Sequence, residues 1–134
     1  IAALVVCVLC TVTLIRVFDW TATDVPAPAV VERSLQFEDL GGGRIAVTDA
    51  RTGEALTEIG MGEQGFMRAT VRGLAQERLR RSGGMETPFL LTGREDGRLL
   101  LEDPVTGRRI DLTAFGPTNA AVFARLLPGV DVHP

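Results

Sequence analysis

Few side chains in this sequence could act as a nucleophile, a general base or a metal ligand. Its 134 residues include one histidine, His133, and two serines, Ser34 and Ser82. A Ser-His catalytic pair or a histidine-rich metal site needs more of these residue types than the chain supplies. We therefore expect no catalytic residue, no metal site, no bound cofactor and no small-molecule substrate, and we expect that the protein is not an enzyme.

Two cysteines, Cys7 and Cys10, form a C-x-x-C pair inside an apolar run. Redox or metal chemistry would need polar surroundings that this run lacks, and haem attachment would need a histidine in the place of Thr11. We interpret the two cysteines as small apolar packing residues.

Two aspartates, Asp49 and Asp103, occupy matched places in an internal repeat with an offset of 54 residues. The stretches 43–53 and 97–107 align without a gap, and five of the eleven residue pairs are identical. Both stretches end in Asp-x-x-Thr-Gly, in which the aspartate can cap a turn and the glycine can adopt a positive φ angle. Two carboxylates could also serve as an acid and a base, but turn caps explain both residues, and we assign them no chemistry.

The chain has a net charge of −3, so it lacks the chain-wide basic field that nucleic-acid binding needs. The segment 66–81 departs from this balance, because it carries five arginines against one acidic residue, Glu77. Apolar residues recur in it at helical spacing, which predicts an amphipathic helix. The arginines are candidates for binding anionic lipid headgroups or acidic loops of a membrane partner, and the alternative is an ordinary solvated helix face. They are Arg68, Arg72, Arg78, Arg80 and Arg81.

Residues 1–15 carry no charge, and only Thr11 and Thr13 interrupt their apolar character; the stretch extends to Phe18 if Arg16 reaches towards the lipid headgroups. Their length approaches the hydrocarbon thickness of a bilayer, which predicts a transmembrane helix over residues 1–18. Trp20 has the amphipathic ring expected at the membrane interface, and it is a candidate lipid contact. A cleaved signal peptide is the alternative. Because few arginines follow this segment, we expect the remainder to lie on the translocated side, which is the periplasm in a Gram-negative cell.

The prolines of residues 19–30 favour an extended tether, and the body, residues 31–134, follows it. Alternating patterns and turn signals predict two successive β-β-β-α units in the body, one for each copy of the repeat. Phe115 and Phe123 flank the second predicted helix and are candidates for a docking surface, and the alternative is that they belong to an ordinary hydrophobic core. The predicted fold class is therefore α+β, with a single N-terminal transmembrane helix followed by a small periplasmic domain that has an antiparallel sheet.

Two stretches of the body carry a family resemblance. The first begins at Gly65, reads Gly-Phe-Met-Arg-Ala-Thr-Val-Arg-Gly-Leu-Ala and continues into the arginine-rich run. The second covers residues 101–121 and ends in Phe-Gly-Pro-Thr-Asn-Ala-Ala, from Phe115 to Ala121. Both resemble the photosynthetic complex assembly protein family, PuhC, of purple phototrophic bacteria, and the likeness extends over nearly the whole body.

This resemblance implies a non-enzymatic assembly factor or accessory subunit of the reaction centre and core light-harvesting complex. The partners that it implies are reaction-centre and core antenna membrane polypeptides, together with membrane lipid. The implied location is the inner photosynthetic membrane, with the main domain in the periplasm. We expect the protein to act by helix packing in the membrane and by periplasmic docking. The competing hypothesis is a general envelope scaffold or tethered binding module unrelated to photosynthesis.

Overall fold

Two β-β-β-α units follow one another along the chain. The computed structural model describes residues 27–62 and 64–129. The first unit consists of strands β1 (Ala29–Gly41), β2 (Arg44–Asp49) and β3 (Ala55–Ile59) and helix α1 (Gly65–Arg80). The second unit consists of strands β4 (Phe89–Arg94), β5 (Leu99–Glu102) and β6 (Arg109–Asp111), a 3-10 helix (Leu112–Phe115) and helix α2 (Pro117–Ala124).

The predicted fold class requires a correction, because it included an N-terminal transmembrane helix. The structure shows a six-stranded antiparallel sheet with two α-helices, and no helix among the described residues is long and apolar enough to cross a membrane. The longer helix, α1, has 16 residues, which extend about 24 Å at about 1.5 Å per residue. Residues 1–18, for which the transmembrane helix was predicted, lie outside the described residues, as does Trp20. β1 begins at Ala29, inside the range predicted as tether.

The six strands form one sheet in the order β3-β2-β1-β4-β5-β6, and every neighbouring pair is antiparallel. The first strands of the two units pair at the centre, with Val31 opposite Gly93 and Leu35 opposite Phe89. The other strands follow outwards on each side by hairpins. Each unit therefore contributes one half of a continuous sheet.

The two Asp-x-x-Thr-Gly turns make the same hydrogen bonds. Oδ1 of Asp49 accepts from the backbone N–H two residues further on at 2.8 Å, and Oδ1 of Asp103 does the same at 2.9 Å. The N–H of Gly53 donates to the carbonyl of Asp49, and that of Gly107 to the carbonyl of Asp103, each at 2.8 Å. Both glycines have positive φ angles, 74° and 75°, which an L side chain would strain. The turn-cap interpretation of the two aspartates is confirmed.

The hydrophobic core lies between one face of the sheet and the two helices. Alternate residues of each strand point into it, as the period of two requires. The rings of Phe37 and Phe89 meet edge to face on neighbouring central strands, with centroids 5.4 Å apart. The most deeply buried apolar side chains are Leu35, Val47, Ile59, Met67, Leu74, Phe89, Leu91, Leu101, Leu112 and Phe123.

A buried ion pair joins α1 of the first unit to the turn of the second unit. The side chains of Arg78 and Asp103 are both 0% exposed. Nε of Arg78 lies 3.0 Å from each carboxylate oxygen of Asp103, and Nη2 lies 2.8 Å from Oδ1. The guanidinium also lies over the ring of Phe89, 3.9 Å from its centroid. These contacts fix the last turn of α1 on the sheet.

The pair lowers the pKa of Asp103. Burial alone would raise this pKa, but the hydrogen bonds from Arg78 and from the N–H of Val105, together with the positive charge of Arg78, outweigh burial and hold it below its ordinary value. A lowered pKa in the folded state stabilises the fold at pH values above the pKa of the unfolded chain. That stabilisation is lost as the pH falls through the pKa of the folded state.

Replacing Arg78 leaves a carboxylate buried without its partner. We expect Arg78→Met to lower the free energy of unfolding by about 3–5 kcal/mol, measured by urea denaturation. The matched control is Arg80→Met, because Arg80 is exposed on the same helix; there we expect a change within about 0.5 kcal/mol. Equal effects of the two substitutions would contradict a structural role specific to Arg78.

Replacing both partners, Arg78→Met with Asp103→Asn, removes the titrating carboxylate without leaving a charge unpaired. As the pH falls below about 5, we expect the free energy of unfolding of the unaltered protein to decrease more steeply than that of the double variant, because only the former loses the contribution of Asp103. Urea denaturation at several pH values measures both slopes. Parallel slopes would show that the pair does not couple folding to proton binding.

Candidate docking surface

A groove of about 690 Å³ runs along one side of α1, between this helix and the end of the β1–β2 hairpin. We call it the α1 groove. Apolar side chains make up much of its lining, and we call them its floor: Phe37, Ile45, Val71, Ala75 and Met85. A partner that places apolar side chains against this floor would be stabilised by their removal from water.

The groove exists because β1 is longer than the strand beside it. β1 has 13 residues, but its pairing with β4 ends at Leu35. The remaining residues of β1 pair only with β2. The segment 81–88, which leads from α1 into β4, forms no strand there. It contains Gly83, Gly84 and Pro88, which are poor strand formers.

The two sides of the α1 groove carry opposite charges. On the helix side lie Arg68 and Arg72, one turn apart on the same face of α1. We call them the arginine wall. On the strand and loop side lie Glu38, Asp39 and Glu86, which we call the acidic wall. The ion pairs found within 4.0 Å in the described part of the chain involve none of these five side chains.

The two arginines of the arginine wall differ in what holds them. Arg68 is half-buried, and its Nη2 donates a hydrogen bond to the carbonyl of Gly60. Its Nε is buried and has no hydrogen-bond partner among the residues that the structure describes. Arg72 is exposed at the rim. The arginine wall therefore consists of one guanidinium held by the backbone of Gly60 and one exposed cation at the rim.

The other three arginines of the predicted cluster lie elsewhere. Arg78 is wholly buried against Asp103, so its assignment as a partner or lipid contact was wrong. Arg80 and Arg81 are exposed, and both lie close to the carboxylate of Glu77, at 2.8 and 3.2 Å. Exposed pairs of this kind contribute about 0–1 kcal/mol. The five arginines of the predicted cluster therefore have three environments: two form the arginine wall, one is buried in the core and two are exposed to solvent.

The two predicted phenylalanines have different environments. Phe123 is 0% exposed and packs edge-on against Phe66, with centroids 5.8 Å apart, so it belongs to the core and its assignment to a docking surface was wrong. Phe115 is 53% exposed and lies 5.2 Å from the ring of Phe66. It borders a shallower depression of about 440 Å³, which Arg80 and Arg108 also line. We call this depression the Phe115 surface.

The stretch Phe-Gly-Pro-Thr-Asn-Ala-Ala forms the junction between the 3-10 helix and α2. Gly116 has φ 93° and ψ 161°, a combination that only glycine adopts readily. Pro117 is the first residue of α2, where its missing N–H is not needed. The side-chain amide of Asn119 donates to the carbonyl of Phe115 at 2.9 Å. Local geometry therefore explains the glycine, the proline and the asparagine.

Sequence reasoning missed the acidic wall and the interior position of Arg78. The interior position of Arg78 had a signal in the sequence, because Arg78 continues the spacing of the buried residues Met67, Val71 and Leu74 on one helix face. The acidic wall had no local signal, since it forms only where a strand extends past its neighbour.

Comparison with known proteins shows the family to which this chain belongs. A protein-family model described as photosynthetic complex reorganisation protein PuhC matches residues 30–131. The chain belongs to the PuhC family. This confirms the resemblance seen in the sequence, and it links the chain to photosynthetic complex assembly. The matched range includes the whole α1 groove.

A relative from Rhodobacter capsulatus is similar to this PuhC-family chain. It is described as an uncharacterized 17.4 kDa protein in the puhA 5′ region, and it is 30% identical over 105 residues. The match covers 77% of this chain and 63% of the relative, so the chain spans less than two thirds of the length of that relative. No solved structure matches the chain.

Two glycine-to-alanine substitutions test the local interpretation of the junction. We expect Gly116→Ala to lower the free energy of unfolding by about 1–3 kcal/mol, because alanine is strained at this φ and ψ. Gly73 lies within α1 with open space around its Cα, so we expect Gly73→Ala to raise the free energy of unfolding by about 0.5–1 kcal/mol. Thermal and urea denaturation measure both changes, and effects of the same sign would contradict this interpretation.

Proposed function

We propose that this chain is a non-enzymatic assembly factor or accessory subunit of the photosynthetic reaction centre and core light-harvesting complex. In this proposal, the α1 groove binds an extramembrane segment of a reaction-centre or core antenna polypeptide. The observation that carries the proposal is the groove itself, in which an apolar floor lies between an arginine wall and an acidic wall. Family membership supports a photosynthetic complex as the source of this partner.

The lining of the groove supports binding rather than catalysis. Among the described residues that line it there is no serine, cysteine or histidine that could act as a nucleophile or a general base near neutral pH. Its carboxylates, Glu38, Asp39 and Glu86, sit on residues exposed to solvent. Charged walls beside an apolar floor select a partner by complementary charge and orient it.

The size of the groove supports a reversible contact. A stable protein–protein interface buries about 1,600 Å² in total, and smaller ones belong to weak or transient complexes. A groove of about 690 Å³ accommodates a short segment of a partner rather than a whole domain face. We therefore propose that the chain binds and releases its partner while the complex is being built.

The proposed location is the periplasmic face of the inner photosynthetic membrane. What supports it is the composition of residues 17–32, which contain no arginine or lysine, because a segment without these residues crosses a membrane more readily than one that contains them. A fusion of the chain to alkaline phosphatase, which is active only after export, tests this location. An inactive fusion that is stably produced would overturn it.

Reversing the charge of Arg72 tests the arginine wall. With an affinity-tagged chain purified in mild detergent, we expect near-infrared bacteriochlorophyll absorbance in the eluate. We expect Arg72→Glu to lower this absorbance about tenfold under dilute conditions, which corresponds to about 1.4 kcal/mol of lost interaction. The control is Arg51→Glu, which makes the same charge change at an exposed residue outside the groove, and which we expect to keep the absorbance.

Other results of this purification contradict the proposal in different ways. A colourless eluate that contains cell-wall or secretion proteins would favour a general envelope scaffold. Pigmented eluates of equal absorbance from both variants would exclude the arginine wall as the contact. Binding to vesicles of anionic lipid, without pigment in the eluate, would assign the arginines to lipid headgroups instead.

A further inference from the structure

The end of β1 has an unpaired edge that faces the α1 groove. β1 pairs with β2 from Leu35 to Gly41, but it pairs with β4 only from Ala29 to Leu35. Beyond Leu35, the edge of β1 on the β4 side has no strand beside it within the described residues. Phe37 and Asp39, which belong to this end of β1, both line the groove.

The register shows which backbone groups lie on that edge. In an antiparallel pair, successive residues alternate between bonding to one neighbouring strand and to the other. The N–H of Ala50 donates to the carbonyl of Ser34 at 2.9 Å, and these two residues are opposite each other because Leu35 is opposite Asp49. Even-numbered residues of β1 in this region therefore bond to β2.

The odd-numbered residues Phe37 and Asp39 consequently direct their N–H and C=O groups away from β2 and towards the groove. No backbone hydrogen bond to a turn or loop involves these groups in the described ranges. If the pairing with β4 continued in the same register, Thr87 would lie opposite Phe37. Instead, the carbonyl of Thr87 accepts from Nη1 of Arg78 at 2.7 Å. The side chain of Gln36 donates a hydrogen bond to the carbonyl of Met85, but this is a side-chain contact and no strand pairing forms there. The backbone groups of Phe37 and Asp39 are therefore left for another strand.

We propose that the α1 groove takes an extended segment of the partner polypeptide as an added strand, hydrogen-bonded to the backbone of Phe37 and Asp39. This inference rests on the proposed function and specifies the chemistry of the partner. In strand addition, backbone hydrogen bonds supply affinity, and side chains at alternate positions supply specificity. The segment occupies the place that a longer β4 would fill, between the edge of β1 and α1.

The spacing of the lining defines the side chains of that segment. In a strand, every second side chain points to the same face, about 6.6–6.8 Å apart. Only the set on the core face of the sheet points towards α1, because both helices lie on that face. This set meets the apolar floor and the arginine wall together. Arg68 and Arg72 are one helical turn apart, about 6 Å along the axis, which is close to the spacing within one set. We therefore expect apolar and acidic residues two positions apart on the core face of the segment, with the carboxylates towards Arg68 and Arg72.

The charges of the groove disfavour a second copy of this chain as the added strand. Two copies paired through the same edge would bring Glu38 and Asp39 of each copy close together, and facing like charges destabilise a strand pair. The acidic wall also repels carboxylates from the β1 side, so it directs those of a bound segment towards α1. The groove thus selects a partner strand of a different sequence.

Residue-resolved amide hydrogen exchange tests the added strand. The chain is measured alone and with detergent-purified reaction-centre and core antenna complex. We expect exchange of the Phe37 and Asp39 amides to slow by about tenfold or more in the complex, because only there do they form hydrogen bonds. The amides of Gln36 and Glu38, already bonded to β2, change much less. This alternation between odd and even residues is specific to strand addition.

Two matched variants test whether binding and amide protection depend on the α1 groove. Ala75→Trp fills the groove from the side of α1, and we expect it to abolish both binding and protection. Ala69→Trp places the same side chain at the Phe115 surface, and we expect it to preserve both. Binding with protection only on α1 would overturn strand addition and leave the proposed function standing. Binding with protection only at Phe115 would overturn the α1 groove as the binding site as well. A complex that does not bind the unaltered chain would overturn both.

Discussion

Both the core and the α1 groove depend on the contacts that the guanidinium of Arg78 makes. One side of it binds the carboxylate of Asp103, which attaches α1 to the second half of the sheet. The other side binds the carbonyls of Thr87 and Gly84, at 2.7 and 3.3 Å. These carbonyls belong to the segment that would otherwise continue β4 alongside β1. Arg78 thus holds this segment against the helix, and within the described residues the segment forms no strand beside the end of β1.

The two copies of the repeat share a turn but differ in how its aspartate is neutralised. Asp49 lies 3.4 Å from Arg33, on the neighbouring strand, and both side chains are partly exposed. Asp103 is paired with Arg78 and wholly buried. A partly exposed pair contributes little, whereas a buried arginine left without its partner costs several kcal/mol. The copies have therefore kept the backbone geometry of the turn while only one of them acquired a helix-anchoring role.

Local patterns in the sequence predicted the parts of this structure that local forces decide. The repeat predicted both capped turns, because aspartate and glycine at these positions satisfy backbone groups within five residues. The helical spacing of apolar residues predicts α1, but it does not predict the burial of Arg78, because arginine is seldom fully buried unless it is paired. The groove could not be predicted in this way. It depends on the register of β1 against β4, and residues far apart in the chain determine that register.

The residues at the rim of the α1 groove are different from the residues that hold the fold together. The pair that anchors α1 lies in its last turn, and the core face of the helix is built from Met67, Val71 and Leu74. Arg72 and Ala75, which border the groove, lie outside that core face, and Arg72 forms none of the ion pairs found among the described residues. A substitution at the rim therefore changes the lining of the α1 groove without removing the buried contacts that hold α1 on the sheet.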